Sequence, residues 1–116
     1  MSDSYFTGKA EVEPLEQLPG IHRRTMGMTD KVMLCEFFLE RGYEVPTHTH
    51  PQDQVGYVIS GELEMTIDGE VRICRAGDSY AIPGDFVHGA RILADTLAID
   101  VFSPPREDYM TENDSD

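Results

Sequence analysis

The chain has 116 residues and a formal net charge of −13. That length fits one domain, and a chain of this size buries roughly 65% of its unfolded surface, enough for a core without disulfide staples. An acidic balance this strong offers no basic footprint, which argues against nucleic acid and anionic membrane surfaces as partners.

The acidity is concentrated at the ends. Residues 1–20 carry Asp3, Glu11, Glu13 and Glu16 against Lys9, and residues 107–116 carry Glu107, Asp108, Glu112, Asp114 and Asp116 with no base. The first twenty residues are expected to form an N-terminal arm or an edge strand. They begin without a basic region or an apolar run, so no signal peptide is expected. No stretch reaches the ~18 apolar residues of a membrane span. Cys35 and Cys74 lack CxxC spacing and read as small apolar core residues of a cytoplasmic protein. His22 is expected on the surface or in a loop.

Strand candidates follow from Val32 onward. Val32–Glu40 and Gln54–Ile59 are rich in aromatic and β-branched residues. Leu63, Met65 and Ile67 alternate with Glu62, Glu64, Thr66 and Asp68, the period of a half-buried strand. Asp68-Gly69 is a hairpin signal, and Val71–Arg75 resumes the alternation beyond it. Leu97, Ile99 and Val101 alternate with Thr96, Ala98, Asp100 and Phe102 and are expected to pack inward. Turn signals recur at Pro19-Gly20, Arg41-Gly42, Ser60-Gly61, Asp68-Gly69, Gly77-Asp78 and Pro83-Gly84-Asp85, about every 8–12 residues. No helical stripe occurs. Met26, Met28, Met33 and Met65 read as core fillers. An all-β sandwich or barrel over residues 21–106 is expected, followed by an acidic mobile tail at 107–116.

His48 and His50 point to one face of a strand, so a single metal ion can meet both imidazoles. The segment from Gly42 through His48, His50 and Gln54 to Gly61 resembles the first signature of the cupin family, G-x5-H-x-H-x3-E-x6-G. Gln54 stands where that family usually has glutamate. Gly77 through Pro83 to His88 resembles its second signature, G-x5-P-x-G-x2-H, with Asp85 in place of the second glycine and Ile92 in place of the later asparagine. The resemblance implies a jelly-roll β-barrel in which His48, His50, Gln54 and His88 bind one divalent transition metal: Ni, Zn, Fe, Mn or Cu. An amide ligand leaves the charge of the ion uncompensated, which strengthens it as a Lewis acid and favours an anionic substrate. It also departs from the 2-His-1-carboxylate set of many oxygenases.

By its residues alone, Asp100 faces either solvent or the barrel mouth. The runs Gln54-Val55-Gly56-Tyr57, Val87-His88-Gly89-Ala90 and Asp100–Asp108 are similar to a subgroup of small single-domain cupins. That subgroup includes the enzymes of pectin and alginate breakdown that linearise 4,5-unsaturated uronates. This similarity implies Asp100 as general acid/base, Arg106 as a carboxylate clamp and Phe102 packed on the sugar ring. Tyr57 reads as packing, and Gln52 as a loop residue within reach of a ligand. A metal-dependent dioxygenase and a non-catalytic sugar- or metal-binding module are the competing functions. A homodimer is expected from the family resemblance.

Overall fold

In the computed structural model, residues 4–110 are described. Eight strands follow one another: β1 (Leu15–Leu18), β2 (Ile21–Met28), β3 (Met33–Leu39), β4 (Glu44–His48), β5 (Asp53–Ile67), β6 (Glu70–Arg75), β7 (Ser79–Ile82) and β8 (His88–Ser103). Two 3-10 turns, Lys9–Glu11 and Glu107–Tyr109, flank them. The chain is all-β and adopts the jelly-roll arrangement.

β5 and β8 are long enough to belong to two sheets, and they pair antiparallel along their whole length. The first half of β5 lies between β7 and the second half of β8, which continues through β3 and β2 to β1. The second half of β5 lies between β6 and the first half of β8, with β4 beyond. Alternate residues of each strand therefore point between the sheets. There Ile21, Met33, Cys35, Phe37, Leu39, Val58, Leu63, Met65, Ile82, Ile92 and Phe102 form the buried core. Cys35 and Cys74 are buried free thiols.

Several local expectations need correction. Ser60-Gly61 does not end a strand. β5 runs through it, with register shifts on either side as it passes between the sheets. Gly61 has φ +102°, and a Cβ there would overlap the Asp95 carbonyl and Thr96, so only glycine suits the bend. Ile99 and Val101 do not face the core. They line the outer face, whereas Thr96, Ala98, Asp100 and Phe102 are buried. Tyr57 also faces outward and is exposed. His22 is a half-buried strand residue whose Nε2 lies 2.6 Å from Glu40 Oε2. Residues 107–110 are not a free tail, because Tyr109 is buried against the core. The remainder of the expected mobile tail, 111–116, lies outside the described residues, as do residues 1–3.

One cross-sheet row positions the site. Thr25, Cys35, Asp100, Gly56 and Tyr80 are successive partners across β2, β3, β8, β5 and β7. Strands lie about 4.8 Å apart, so Asp100 and Tyr80 are separated by the width of β5. Gly56 leaves that width empty. The Tyr80 ring occupies the gap, and its hydroxyl donates to Asp100 Oδ1 at 2.7 Å. A Cβ on Gly56 would overlap both Asp100 Oδ1 and the Tyr80 ring. Gly56→Ala is therefore expected to destabilise the fold by about 2–3 kcal/mol, the scale of an overpacked core. Urea unfolding of the two proteins checks this; an unchanged midpoint would mean the row relaxes freely.

Candidate metal centre and catalytic cavity

Three strand ends bring the ligand candidates together. His48 closes β4, His88 opens β8 directly opposite it, and Gln54 is the second residue of β5. His50 lies on the short connection between His48 and Gln54. One ring nitrogen from each of His48, His50 and His88 lies within 4.8 Å of the other two.

The backbone fixes the orientation of each imidazole. Nδ1 of His48 lies 2.9 Å from the Pro46 carbonyl, Nδ1 of His88 2.8 Å from the Phe86 carbonyl, and Nδ1 of His50 3.1 Å from the Gln52 carbonyl. A carbonyl only accepts, so each Nδ1 carries a proton, and in the neutral form of the ring Nε2 is the nitrogen with the free lone pair. His88 Nε2 is buried and has no hydrogen-bond partner among the described residues. His50 Nε2 lies 3.0 Å from Gln54 Oε1. Two acceptors facing each other at that distance call for a cation beside them. Protonation does not supply it readily, because burial, and then the Arg106 guanidinium, lower the His50 pKa. Burial likewise lowers that of His88. The donor set thus fits a divalent metal held by three neutral imidazoles and an amide oxygen.

Asp100 lies one inward position from this set along β8, since Gln54 pairs with Phe102 and Gly56 with Asp100. Burial pushes the Asp100 carboxyl up to about 6, while hydrogen bonds from Tyr80 and Gln54 pull the other way. Burial first, and then the facing Asp100, push the Tyr80 phenol well above its ordinary range, so it remains a donor. The Gln54 amide lies between Asp100, to which it is hydrogen-bonded, and His50, which its Oε1 faces. A carboxyl that titrates near neutrality can both take and give a proton.

A cavity of about 290 Å³ opens onto these groups. His48, Gln54, His88, Asp100, Phe102 and Arg106 line it; His50 is packed just behind, its ring 4.8 Å from that of His88. The geometry thus gathers all seven residues singled out in the sequence and places Asp100 inside the barrel, not in solvent. Gln52 meets His50 through its carbonyl. Glu16, His22 and Glu40 form a second cluster on the β1–β2 side. There His22 is already bound to Glu40, and Glu16 accepts the Gly20 amide proton.

Sequence reasoning missed Gly56, Tyr80, Gln17 and Tyr109. A glycine inside a strand signals close approach of another group, which marks Gly56. Tyr80 shares the inward face of β7 with Ile82. Tyr109 stands alone among acidic residues and carries no periodic signal.

A family model for the cupin domain matches residues 36–102. Over 100 residues, the chain is 35% identical to the pectin degradation protein KdgF of Dickeya dadantii (strain 3937), covering 84% of this chain and 91% of that protein. Among solved structures, it is similar to an RmlC-like cupin from Shewanella frigidimarina NCIMB 400, with a TM-score of 0.87 and 32% identity over 92% of this chain and 96% of that one. It is also similar to KdgF from Halomonas sp., with a TM-score of 0.84 and 36% identity over 92% and 98% of the two chains.

The buried carboxyl makes stability depend on pH. The Asp100 pKa is about 6 in the fold, against an ordinary 3.8. Below about pH 4 both folded and unfolded states hold the proton, and burial costs no charge. Between about pH 4 and 6 the unfolded state gives up the proton that the folded state keeps, so stability falls; above about 6 the folded state buries a carboxylate and the loss is complete. In metal-free protein, Asp100→Asn is expected to be more stable than the wild type at pH 8, by up to about 3 kcal/mol. That gain should vanish below about pH 4. Urea titrations at both pH values decide this, and a pH-independent difference would contradict it.

Proposed function

The chain belongs to the cupin family, and we propose that it is a metal-dependent enzyme that opens the ring of 4,5-unsaturated uronates. The observation that carries this reading is a buried carboxyl with a pKa of about 6, Asp100, sharing one cavity with the histidine set and Arg106. The similarity to proteins named for pectin degradation supports the substrate class.

The substrate is a cyclic sugar acid with a hemiacetal hydroxyl and an enol ether beside its carboxylate. Asp100 takes the proton of the anomeric hydroxyl as the bond from that carbon to the ring oxygen breaks. The freed enolate then gains a proton at its alkene carbon and becomes a ketone. One carboxyl that accepts the first proton and returns the second closes the balance, and no oxidant is needed. Tyr80 and Gln54 hold the Asp100 carboxyl in place. Arg106 binds the substrate carboxylate, and the Phe102 ring packs against the sugar. His48, His50, Gln54 and His88 would hold one divalent ion chosen from Ni, Zn, Fe, Mn and Cu, which supplies Lewis-acid stabilisation of negative charge on substrate oxygens. Gln54 in place of a carboxylate lends no support to an oxygenase. The two buried free thiols support a cytoplasmic setting.

The outer sheet face supports a homodimer. Val55, Tyr57 and Ile59 of β5, Val101 of β8 and Phe38 of β3 are all exposed there, and Val55 pairs with Val101 across the sheet. Such a face in water is a contact surface.

Loss of the conjugated-alkene absorbance of an unsaturated uronate, measured with and without a chelator, tests the activity. The metal-loaded protein should turn the substrate over, and stripped protein should not; equal rates would sink the assignment. Asp100→Asn is expected to lower turnover at least about 100-fold with metal content unchanged. A parallel loss of metal would make Asp100 structural. Sedimentation should give a dimer at micromolar concentration, and Tyr57→Glu should give a monomer; a wild-type monomer would refute that interface.

A further inference from the structure

The end of the chain builds one wall of the cavity. The turn Glu107–Tyr109 follows Arg106, and its Tyr109 lines the cavity together with Arg106 and Phe102. Tyr109 is held at several points. Its carbonyl accepts from Thr25 Oγ1 at 2.8 Å, and its hydroxyl accepts from Gln17 Nε2 at 2.7 Å. Gln17 Oε1 in turn accepts from Arg23 Nη1 at 2.7 Å. The ring meets Phe102 and Phe37 edge-on.

Two guanidinium groups lie over this ring. Arg23 Cζ is 4.2 Å and Arg106 Cζ 4.0 Å from its centroid. Arg23 belongs to the barrel and is tied through Gln17 to the phenol oxygen, so the ring carries a fixed cation as well as Arg106. On its outer edge, Arg106 donates from Nε and Nη2 to the two carboxylate oxygens of Asp108, at 3.3 and 3.0 Å. Asp108 is largely exposed, whereas the Arg106 side chain is only 13% exposed. Arg106 Nη1 has no hydrogen-bond partner among the described residues.

We propose that Tyr109 is the positioning residue for Arg106: its pinned ring sets the plane of the guanidinium, Asp108 occupies the outer edge, and the Nη1 edge is left for a ligand carboxylate in the cavity. This rests on the reading of Arg106 as the carboxylate clamp. A free arginine side chain loses about 2 kcal/mol of rotamer entropy when it is fixed. The Tyr109 stack meets that cost on folding, before any ligand binds.

The test combines kinetics on a 4,5-unsaturated galacturonate with the nitrogen-15 spectrum of the Arg106 Nε–H, assigned by its loss in Arg106→Lys. Metal loading is matched across variants. Tyr109→Leu is expected to raise KM about tenfold, equivalent to ~1.4 kcal/mol, with kcat changed less than about twofold. Its Arg106 signal should merge with those of mobile arginines. Tyr109→Phe keeps the ring and should retain both KM and the Arg106 signal. In an Arg106→Lys background, Tyr109→Leu should add less than about twofold to KM. Should Tyr109→Leu fail to fold, Tyr109→Met, which lacks a π face, replaces it. Additive losses, an unmoved Arg106 signal, or kcat and metal content falling together with KM would overturn the proposal. If the wild type neither turns over nor binds the uronate, the substrate reading fails, and the Arg106 spectrum alone decides whether Tyr109 positions it.

Discussion

The ladder between β5 and β8 is the constraint on which the rest of the site depends. It sets Gln54 opposite Phe102, Gly56 opposite Asp100 and Ile67 opposite His88. Because side chains alternate, a slip of one residue would send every one of these groups to the outer face and bring Val55, Tyr57 and Val101 inside. The apolar residues between them resist such a slip. Val58, Leu63, Met65, Ile92 and Ala98 are inward on the same two strands and nearly inaccessible to solvent. Core packing and site geometry are thus specified by a single register. The candidate metal ligands, the acid/base candidate and the aromatic wall need no separate scaffold.

Within that frame, charge is distributed against the average of the chain. The protein carries −13, yet among the described residues Asp100 is the only carboxylate lining the cavity, and Arg106 shares the same wall. Neutral imidazoles and an amide offer donors without offsetting an ion's charge. A divalent ion there would leave the cavity positive inside an acidic protein, a suitable field for an anion. The net charge therefore describes the exterior and its solubility, while the ligand is selected by a handful of buried groups. Such groups act in low dielectric, where each charge counts for more than it would at the surface.

How much of this is legible in sequence follows from how each signal arises. The ligand candidates are constrained by fixed spacing along a strand and a short connection, so His48, His50, Gln54 and His88 stand out. Strands with one apolar face also stand out, as Leu63, Met65 and Ile67 do. β2 does not, because two of its inward positions are Arg23 and Thr25, both buried, and a polar inward residue erases the apolar period. Ser60-Gly61 carries the composition of a turn but serves a bend within one strand, and the local sequence cannot separate the two. Tyr109 is invisible for a further reason. Its burial depends on Gln17, Arg23, Thr25 and Phe37, which are distant in the chain, and nothing among its acidic neighbours records them.

Gln54 and Asp100 are best understood as one choice. The amide has a donor end and an acceptor end, and the structure uses both: Asp100 is hydrogen-bonded by the Gln54 side chain, and Oε1 faces His50. A glutamate in the same place would have no N–H to offer and would set a second carboxylate beside a buried one. Like charges sharing a buried site cannot both ionise readily, so the pKa of one of the two would be raised. Either the metal would lose a good ligand, or Asp100 would be locked as an acid and could not accept a proton. Glutamine avoids both outcomes by turning its oxygen toward the histidine set and its hydrogen toward the aspartate. The departure from the usual cupin signature at Gln54 is therefore the counterpart of a buried, titratable Asp100.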